Sequence, residues 1–234
     1  MFYRWVLVFA CGCSLFLLQS SPASASLQVG NTIRFYDREG SPGGEFGLAL
    51  AGTPNKPELF RTFCLERSEY LDFNAAGFKI VGITDKAVNG GVTPGGDPLS
   101  LTTKVLYSWF RNKTLAGYDY TPNSATHVTS ANELQEAFWA LEAEGVTANG
   151  QAATWIASAA NWIATTSTKA QRDFVDSHVK VLNLVWATGR SGYAAGSVAQ
   201  DQLYYVPEPI SLTVWAGVGG VFCLFSRRRR QASR

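Results

Sequence analysis

Two uncharged apolar stretches lie near the ends of this 234-residue chain, one at residues 5–18 and the other at residues 210–225. Neither has the alternation of polar and apolar positions that a soluble domain requires, so the folded domain must lie between them. Six of the 20 basic residues also lie at the ends, which leaves 14 basic residues against 18 acidic ones between Arg4 and Arg227. This balance argues against nucleic-acid binding, which needs a basic patch that neutralises phosphates.

Residues 1–25 have the three parts of a secretory signal peptide. Arg4 supplies a positive charge near the start, and an apolar run follows it. Ala23-Ser24-Ala25 then supplies the small residues that signal peptidase accepts before its cleavage site. We therefore expect signal peptidase to cleave after Ala25 and the exported protein to begin at Ser26.

The C-terminal end carries a second targeting signal, residues 206–234. Its apolar run, residues 210–225, is 16 residues long, slightly short of the ~20 that span a bilayer as a helix. We predict a transmembrane helix there, with the arginines after it on the cytoplasmic side. The order Pro-Glu-Pro, apolar helix and arginine cluster resembles the PEP-CTERM sorting signal of Gram-negative bacteria. The residues that carry the resemblance are Pro207, Glu208, Pro209, Arg227, Arg228, Arg229 and Arg230.

The resemblance to PEP-CTERM proteins implies a route for the protein. It implies a precursor that is anchored in the inner membrane, processed by an exosortase, and then held at the cell surface or released outside the cell. It also implies an association with extracellular polymer. It does not indicate what the central part, residues 26–205, does.

Short runs of alternating apolar residues, typical of β-strands, lie on both sides of a helical middle part. The predicted strands are Thr32–Asp37, Phe46–Leu50, Leu59–Glu66, Phe78–Ile83, His178–Ala187 and Gln202–Val206. Strands on both sides of a helical part predict an α+β fold. We expect a β-sandwich or β-barrel with a helical insertion.

Three helices are predicted in the middle part. Asp97 followed by Pro98 is typical of an N-cap with a first-turn proline. Ser130 and Glu133 have the spacing of a capping box and predict the start of the second helix. The third is predicted from about Gly150 to Thr165, with its tryptophans on the apolar face that packs against the core.

One cysteine remains in the expected exported domain. Cys11 and Cys13 lie in the signal peptide and Cys223 lies in the C-terminal apolar run, which leaves Cys64. A lone cysteine cannot form an internal disulfide in an oxidising compartment. Three interpretations stay open at this point: an inert buried thiol, a catalytic nucleophile, or a sulfur bonded covalently to something other than sulfur.

Two short motifs favour the third interpretation. They are Phe63-Cys64-Leu65-Glu66 on a predicted strand and Leu134-Gln135-Glu136-Ala137-Phe138-Trp139 on a predicted helix. Together they resemble the thioester domains of bacterial surface adhesins, over roughly residues 59–145. The resemblance implies that the Cys64 sulfur and the Gln135 side chain form an internal thioester. Trp139 matches the tryptophan of the family motif.

The chemistry of such a pair is covalent attachment rather than turnover. Attack of the sulfur on the Gln135 amide would expel ammonia and leave a thioester, an electrophile that an amine or a hydroxyl on a partner could open. Since water also destroys thioesters, we expect apolar side chains to shield this one. The candidates are Trp139, Phe63 and Phe138. The expected partner is a surface polymer or protein that carries amines, and no enzymatic turnover is expected.

Two alternatives remain. One is a non-covalent structural or binding protein of an extracellular matrix, with the motifs as core residues. The other is a cysteine hydrolase in which Cys64 pairs with His178, oriented by Asp173 or Asp176. The two histidines and the exported cysteine have no metal-ligand spacing, so neither a metal nor another cofactor is expected.

Overall fold

An antiparallel sheet of six strands forms most of the β structure. The computed structural model describes residues 26–40, 44–52, 57–88, 95–190 and 192–207. The strands are β1 (Thr32–Asp37), β2 (Gly44–Leu50), β3 (Phe60–Phe63), β4 (Phe78–Thr84), β5 (Lys86–Ala87), β6 (Asp97–Pro98), β7 (Val179–Trp186) and β8 (Val198–Tyr205). The large sheet has the order β3-β2-β1-β4-β7-β8, and β5 pairs with β6 in a small sheet.

The two edge strands of the large sheet approach each other just beyond the end of β3. Cys64 and Gln202 form an isolated antiparallel bridge. On either side of it, the Leu65 amide donates to the Asp201 carbonyl at 3.1 Å and the Thr62 hydroxyl donates to the Leu203 carbonyl at 2.6 Å. Cys64 therefore lies where the two edges of the sheet meet.

Two buried apolar cores lie on either side of this junction. One is lined by inward-facing strand residues such as Ile33 and Leu48, and it contains Cys64. The other lies between the sheet and the helices and contains Phe63. Consecutive residues of an extended chain point to opposite faces, so Phe63 and Cys64 belong to different cores.

Four α-helices precede β7 in the described part of the chain. They are α1 (Leu101–Arg111), α2 (Ala125–Leu141), α3 (Gly150–Asn161) and α4 (Lys169–His178). Together with the antiparallel sheet they make the fold α+β, as the sequence predicts. A π-helical turn, Trp162–Thr166, continues α3 to about its predicted end.

The predicted starts of the first two helices are wrong. Asp97 and Pro98 form β6, and the N-cap of α1 is Ser100, whose side chain accepts from the Thr103 amide. The N-cap of α2 is Ser124, six residues before the predicted one. Ser130 lies inside the helix, where its hydroxyl accepts a hydrogen bond from a loop amide. A capping-box spacing thus occurs within α2, where packing rather than capping determines the role of the serine.

The last helix, α4, is not among the predicted elements, although its start has a sequence signal. Thr168 and Gln171 form a complete capping box at its N-terminus. The strand that follows begins at Val179, one residue after the predicted His178. The other predicted strands agree with the structure apart from their ends, and β3 is shorter because the chain leaves regular pairing at Cys64.

No helix in the described ranges is long and apolar enough to cross a membrane. The predicted signal peptide and the predicted transmembrane run, residues 210–225, lie outside those ranges, as do Glu208, Pro209 and the four arginines Arg227–Arg230. Pro207 is the last described residue. These targeting signals stay predictions.

The hydroxyl of Tyr107 on α1 connects the helices to both edge strands. It donates to the Arg61 carbonyl at 2.9 Å and to the Leu203 carbonyl at 3.2 Å. We expect Tyr107→Phe to lower the free energy of unfolding by about 1–2 kcal/mol, because the ring stays and only a buried donor is lost. Urea unfolding checks this value, with Tyr36→Phe on the partly exposed Tyr36 as the control. Equal stability of the two variants would contradict the expectation.

Candidate functional site

The structure brings Gln135 of α2 against Cys64, its predicted partner. The Cys64 amide donates to Gln135 Oε1 at 3.0 Å, and Gln135 Nε2 donates to the Cys64 carbonyl at 2.9 Å. Both residues are fully buried. Only two carbon atoms separate the Cys64 sulfur from the Cys64 amide nitrogen, so the thiol also lies close to the Gln135 carboxamide.

The sulfur itself lies in a dry and electrostatically unfavourable environment. Gln202 Nε2 donates to Cys64 Sγ at 3.4 Å. Burial raises the pKa of the Cys64 thiol well above its usual range; the Gln202 hydrogen bond opposes this rise, and the carboxyls of Glu66 and Glu69 add to it. The resting thiol is therefore protonated, and a reaction at sulfur requires that its proton be transferred as the new bond forms.

Gly44 of β2 allows the close approach of the two motifs. A Cβ atom at this position would lie 2.9 Å from Gln135 Oε1 and would also overlap the ring of Phe63. Such distances are shorter than van der Waals contact, so a side chain here would displace the carboxamide or the ring. The absence of a side chain at Gly44 thus lets β2, β3 and α2 converge.

The three predicted shielding residues are all buried around the pair. Phe63 packs edge-on against Phe138 with ring centroids 5.2 Å apart, on the helix side. Trp139 belongs to the same apolar core as Cys64 and is 6% exposed. It follows Gln135 by four residues, one helical turn. Aromatic side chains therefore cover the pair on both of its faces.

Polar atoms without a hydrogen-bond partner are concentrated at this site. In the described part of the chain, eight buried side-chain atoms lack a partner. Half of them belong to residues around the pair: Glu66 Oε2, Glu69 Oε2, Trp139 Nε1 and Gln202 Oε1. Each such atom costs on the order of 1–3 kcal/mol. Four unpartnered polar atoms in one place destabilise this part of the fold, so stability alone does not account for them.

Two of these atoms belong to carboxyls that stay protonated to unusually high pH. Burial raises the pKa of Glu66 to about 10, and the neighbouring carboxylates of Asp201, Glu69 and Glu144 contribute to the rise. Burial likewise raises the pKa of Glu69 to about 7, with contributions from Asp201 and Glu144. At neutral pH the site therefore contains one neutral acid and one carboxyl close to its titration point.

A cleft of about 400 Å³ adjoins the pair. Its lining includes Trp139, Glu69, Tyr70 and Gln200. Since Trp139 also packs in the core that contains Cys64, the indole separates the cleft from the buried pair. Neither Glu69 nor the cleft is predictable from the sequence, because no motif distinguishes a glutamate in a loop.

A second cluster of charged residues surrounds His127, near the start of α2. Glu39, Glu45 and His127 place potential ligand atoms within 4.8 Å of one another. Arg61 already pairs with Glu39 at 2.6 Å and with Glu45 at 2.7 Å, while His127 Nε2 and the Tyr118 hydroxyl both contact Glu45 Oε2. Because the guanidinium compensates the carboxylates, we interpret this cluster as a structural link between strands and helix. Within this cluster only His127 is conspicuous in the sequence, because it is one of only two histidines.

The residues of the hydrolase alternative are engaged elsewhere. His178 Nδ1 lies 2.8 Å from the Phe174 carbonyl, and its ring stacks on the Phe174 ring. Asp173 and Asp176 each pair with a lysine. The described contacts of His178 do not include Cys64 or either aspartate, so this geometry lends no support to a Cys64–His178 pair.

No protein-family model, curated protein or solved structure matches this chain. The site is therefore interpreted from its own residues.

The high pKa of Glu66 predicts a dependence of stability on pH. The folded state holds a proton that the unfolded state releases near pH 4.5, so stability is complete below that pH and is lost as the pH rises toward about 10. Between pH 5 and pH 8 we expect a loss of about 4 kcal/mol in the free energy of unfolding, since the folded and unfolded states differ by nearly one proton and each pH unit then costs about 1.4 kcal/mol. Glu66→Gln mimics the neutral acid and should remove this contribution, whereas the smaller contribution of Glu69, whose pKa is about 7, remains.

Urea unfolding at pH 5, 6.5 and 8 tests this dependence. The exposed Glu136→Gln is the matched control, since it removes the same charge from the surface. A Glu66→Gln variant that still lost stability as steeply as the wild type would show that Glu66 ionises normally.

Proposed function

We propose that Cys64 Sγ and the side-chain carbonyl carbon of Gln135 form an internal thioester, through which an exported surface or extracellular-matrix protein attaches covalently to a partner that carries amines. The observation that carries the proposal is the reciprocal pair of hydrogen bonds between the Gln135 carboxamide and the Cys64 peptide groups. It joins the two residues that the motifs single out, inside a fully buried region.

This geometry supports the following route to the proposed thioester. The sulfur attacks the carboxamide carbon of Gln135, and the Cys64 amide, 3.0 Å from Gln135 Oε1, donates to the oxygen as negative charge develops on it. The carbon–nitrogen bond then breaks. The nitrogen leaves as ammonia with the thiol proton, so one thiol and one primary amide give one thioester and one ammonia. The high pKa of the Cys64 thiol keeps the concentration of thiolate low. The reaction therefore depends on the fixed positions of the thiol and the carboxamide.

Transfer to a partner reverses the roles of the two groups. A partner amine attacks the Gln135 carbonyl carbon, an amide bond forms, and the carbon–sulfur bond breaks. Cys64 regains a free thiol, and the Gln135 side chain remains joined to the partner. Since nothing regenerates the primary amide, each molecule reacts once and the protein is not an enzyme. The surrounding rings of Phe63, Phe138 and Trp139 slow hydrolysis before the partner arrives.

We further propose that the sheet is barrel-like, with the helices as an insertion. The bridge between Cys64 and Gln202, which links the edge strands, supports this arrangement. In the same proposal, residues 1–25 are a signal peptide that directs export. The tail from residue 206 is a PEP-CTERM signal on which an exosortase acts. The protein would then reach the surface of a Gram-negative bacterium.

A non-covalent structural or binding protein is the second candidate. The hydrogen bonds of Gln135 favour it as well, because they satisfy both polar groups of the carboxamide without any reaction. The two functions differ in mass and in reactivity, which makes them separable by one measurement.

Intact mass of the purified protein tests the thioester. We expect a mass that is lower than the sequence mass by one ammonia, and the addition of one methylamine with release of one thiol. Cys64→Ala should keep its fold, show the full mass and take up no methylamine, because the sulfur is absent. A wild-type protein with its full mass and a thiol that titrates once it is unfolded would leave the non-covalent candidate.

Gly44→Ala tests the geometry while both reactive residues stay in place. A methyl group should displace Gln135 or Phe63, so we expect a smaller fraction of molecules with the ammonia deficit. Gly189→Ala is the matched control, because a Cβ there meets its nearest neighbour at 3.5 Å, an ordinary contact. An undiminished deficit in Gly44→Ala would show that the approach at Gly44 does not govern the reaction.

A further inference from the structure

We propose that the cleft beside Trp139 admits the nucleophile, and that Glu69 in its wall binds the ammonium group of an aliphatic primary amine and takes one of its protons. This inference rests on the proposed function, since it concerns the molecule that opens the thioester. It names a residue that no motif marks and a substrate class, alkylammonium rather than hydroxyl.

The cleft comes within one residue of the Cys64–Gln135 pair at two places. Trp139 lines the cleft and packs in the core with Cys64, one helical turn from Gln135. Gly40 lines the cleft as well, and a Cβ atom on it would overlap the Gly44 backbone, which in turn adjoins Gln135. Single residues therefore separate the cleft from the pair. In this proposal the amine enters past the indole of Trp139.

The wall of the cleft matches an alkylammonium ion. Trp139, Tyr70 and Phe73 offer aromatic surface to an alkyl chain, and aromatic faces attract cations. Glu69 and Asp37 offer carboxylates. A neutral alcohol would gain the apolar contacts but not the electrostatic ones, so the cleft discriminates between the two nucleophiles.

Glu69 has an acceptor available for this role. Its Oε2 atom is buried, and none of the residues that the structure describes donates a hydrogen bond to it. The charged groups that face it are the carboxyls of Glu66, Asp201 and Glu144, with Arg67 also on the cleft wall. The pKa of about 7 that burial and these carboxyls produce makes Glu69 a base near neutral pH.

Two protons leave the amine nitrogen during the reaction. Glu69 takes one proton from the ammonium ion, which leaves a neutral amine that attacks the thioester carbonyl carbon. A second proton moves from the attacking nitrogen to the departing sulfur, so the products are an amide and the Cys64 thiol. The proton on Glu69 is released to solvent when the carboxyl ionises again.

The rate of reaction with n-butylamine as a function of pH tests the inference on the unmodified, thioester-containing protein. Butylamine is a cation throughout the range. If Glu69 accepts its proton, the rate rises through about pH 7 and levels off above it, as Glu69 becomes fully ionised. Without such a base, the rate follows the free amine and keeps rising about tenfold per pH unit to pH 9.

Glu69→Gln gives the matching variant. We expect its rate with butylamine at pH 7.5 to fall by about tenfold or more, with the plateau replaced by a continuous rise. Hydroxylamine is uncharged at this pH and needs no deprotonation, so its rate should change by less than about twofold. Glu136→Gln, on the exposed face of α2, should leave both rates unchanged.

The outcomes separate this inference from the proposed function. Should Glu69→Gln retain the ammonia deficit and react with butylamine at the wild-type rate, the inference is wrong and the thioester stands. Should the wild-type protein lack the deficit, both fall. If Glu69→Gln does not fold or form the thioester, the wild-type pH profile decides alone, and a rate that rises without a plateau overturns the role of Glu69.

Discussion

The site depends on one interaction, the exchange of two hydrogen bonds between the Gln135 side chain and the Cys64 peptide groups. It fixes the position of α2 over the junction where the sheet edges meet. It also orients the carboxamide, since its oxygen faces an N–H donor and its nitrogen faces a carbonyl. Substitutions that move α2 or the Cys64 segment therefore alter the positions of the Gln135 carboxamide and the Cys64 thiol together.

Several features around this interaction lower the stability of the fold. It buries two carboxyls near a thiol, leaves polar atoms without partners and keeps a cleft against the covering indole of Trp139. Burial and the carboxyls of Glu66 and Glu69 oppose the ionisation of Cys64. In the proposed function this burial protects the thioester, because water is the main competitor of the partner amine.

The fold was largely predictable, since alternation and helical periodicity identify most of its elements. Thr32–Asp37 is a strand with the predicted bounds because Ile33 and Phe35 alternate with partly exposed residues. Helix starts were less predictable. Ser100 and Ser124 cap α1 and α2, whereas similar polar residues nearby, Asp97 and Ser130, are used for pairing and packing. Local capping signals occur more often than helices begin, and tertiary contacts select among them.

The amino-acid sequence alone determined the cysteine and glutamine motifs, the apolar ends and the alternation that directs Phe63 and Cys64 to opposite faces. Only the tertiary structure decided that Gln135 meets Cys64 and that Glu69 lies at a cleft next to them. The reason is physical. Periodicity fixes the face of an element on which a side chain lies, whereas the distance between a strand residue and a helix residue 71 positions later depends on how the elements pack.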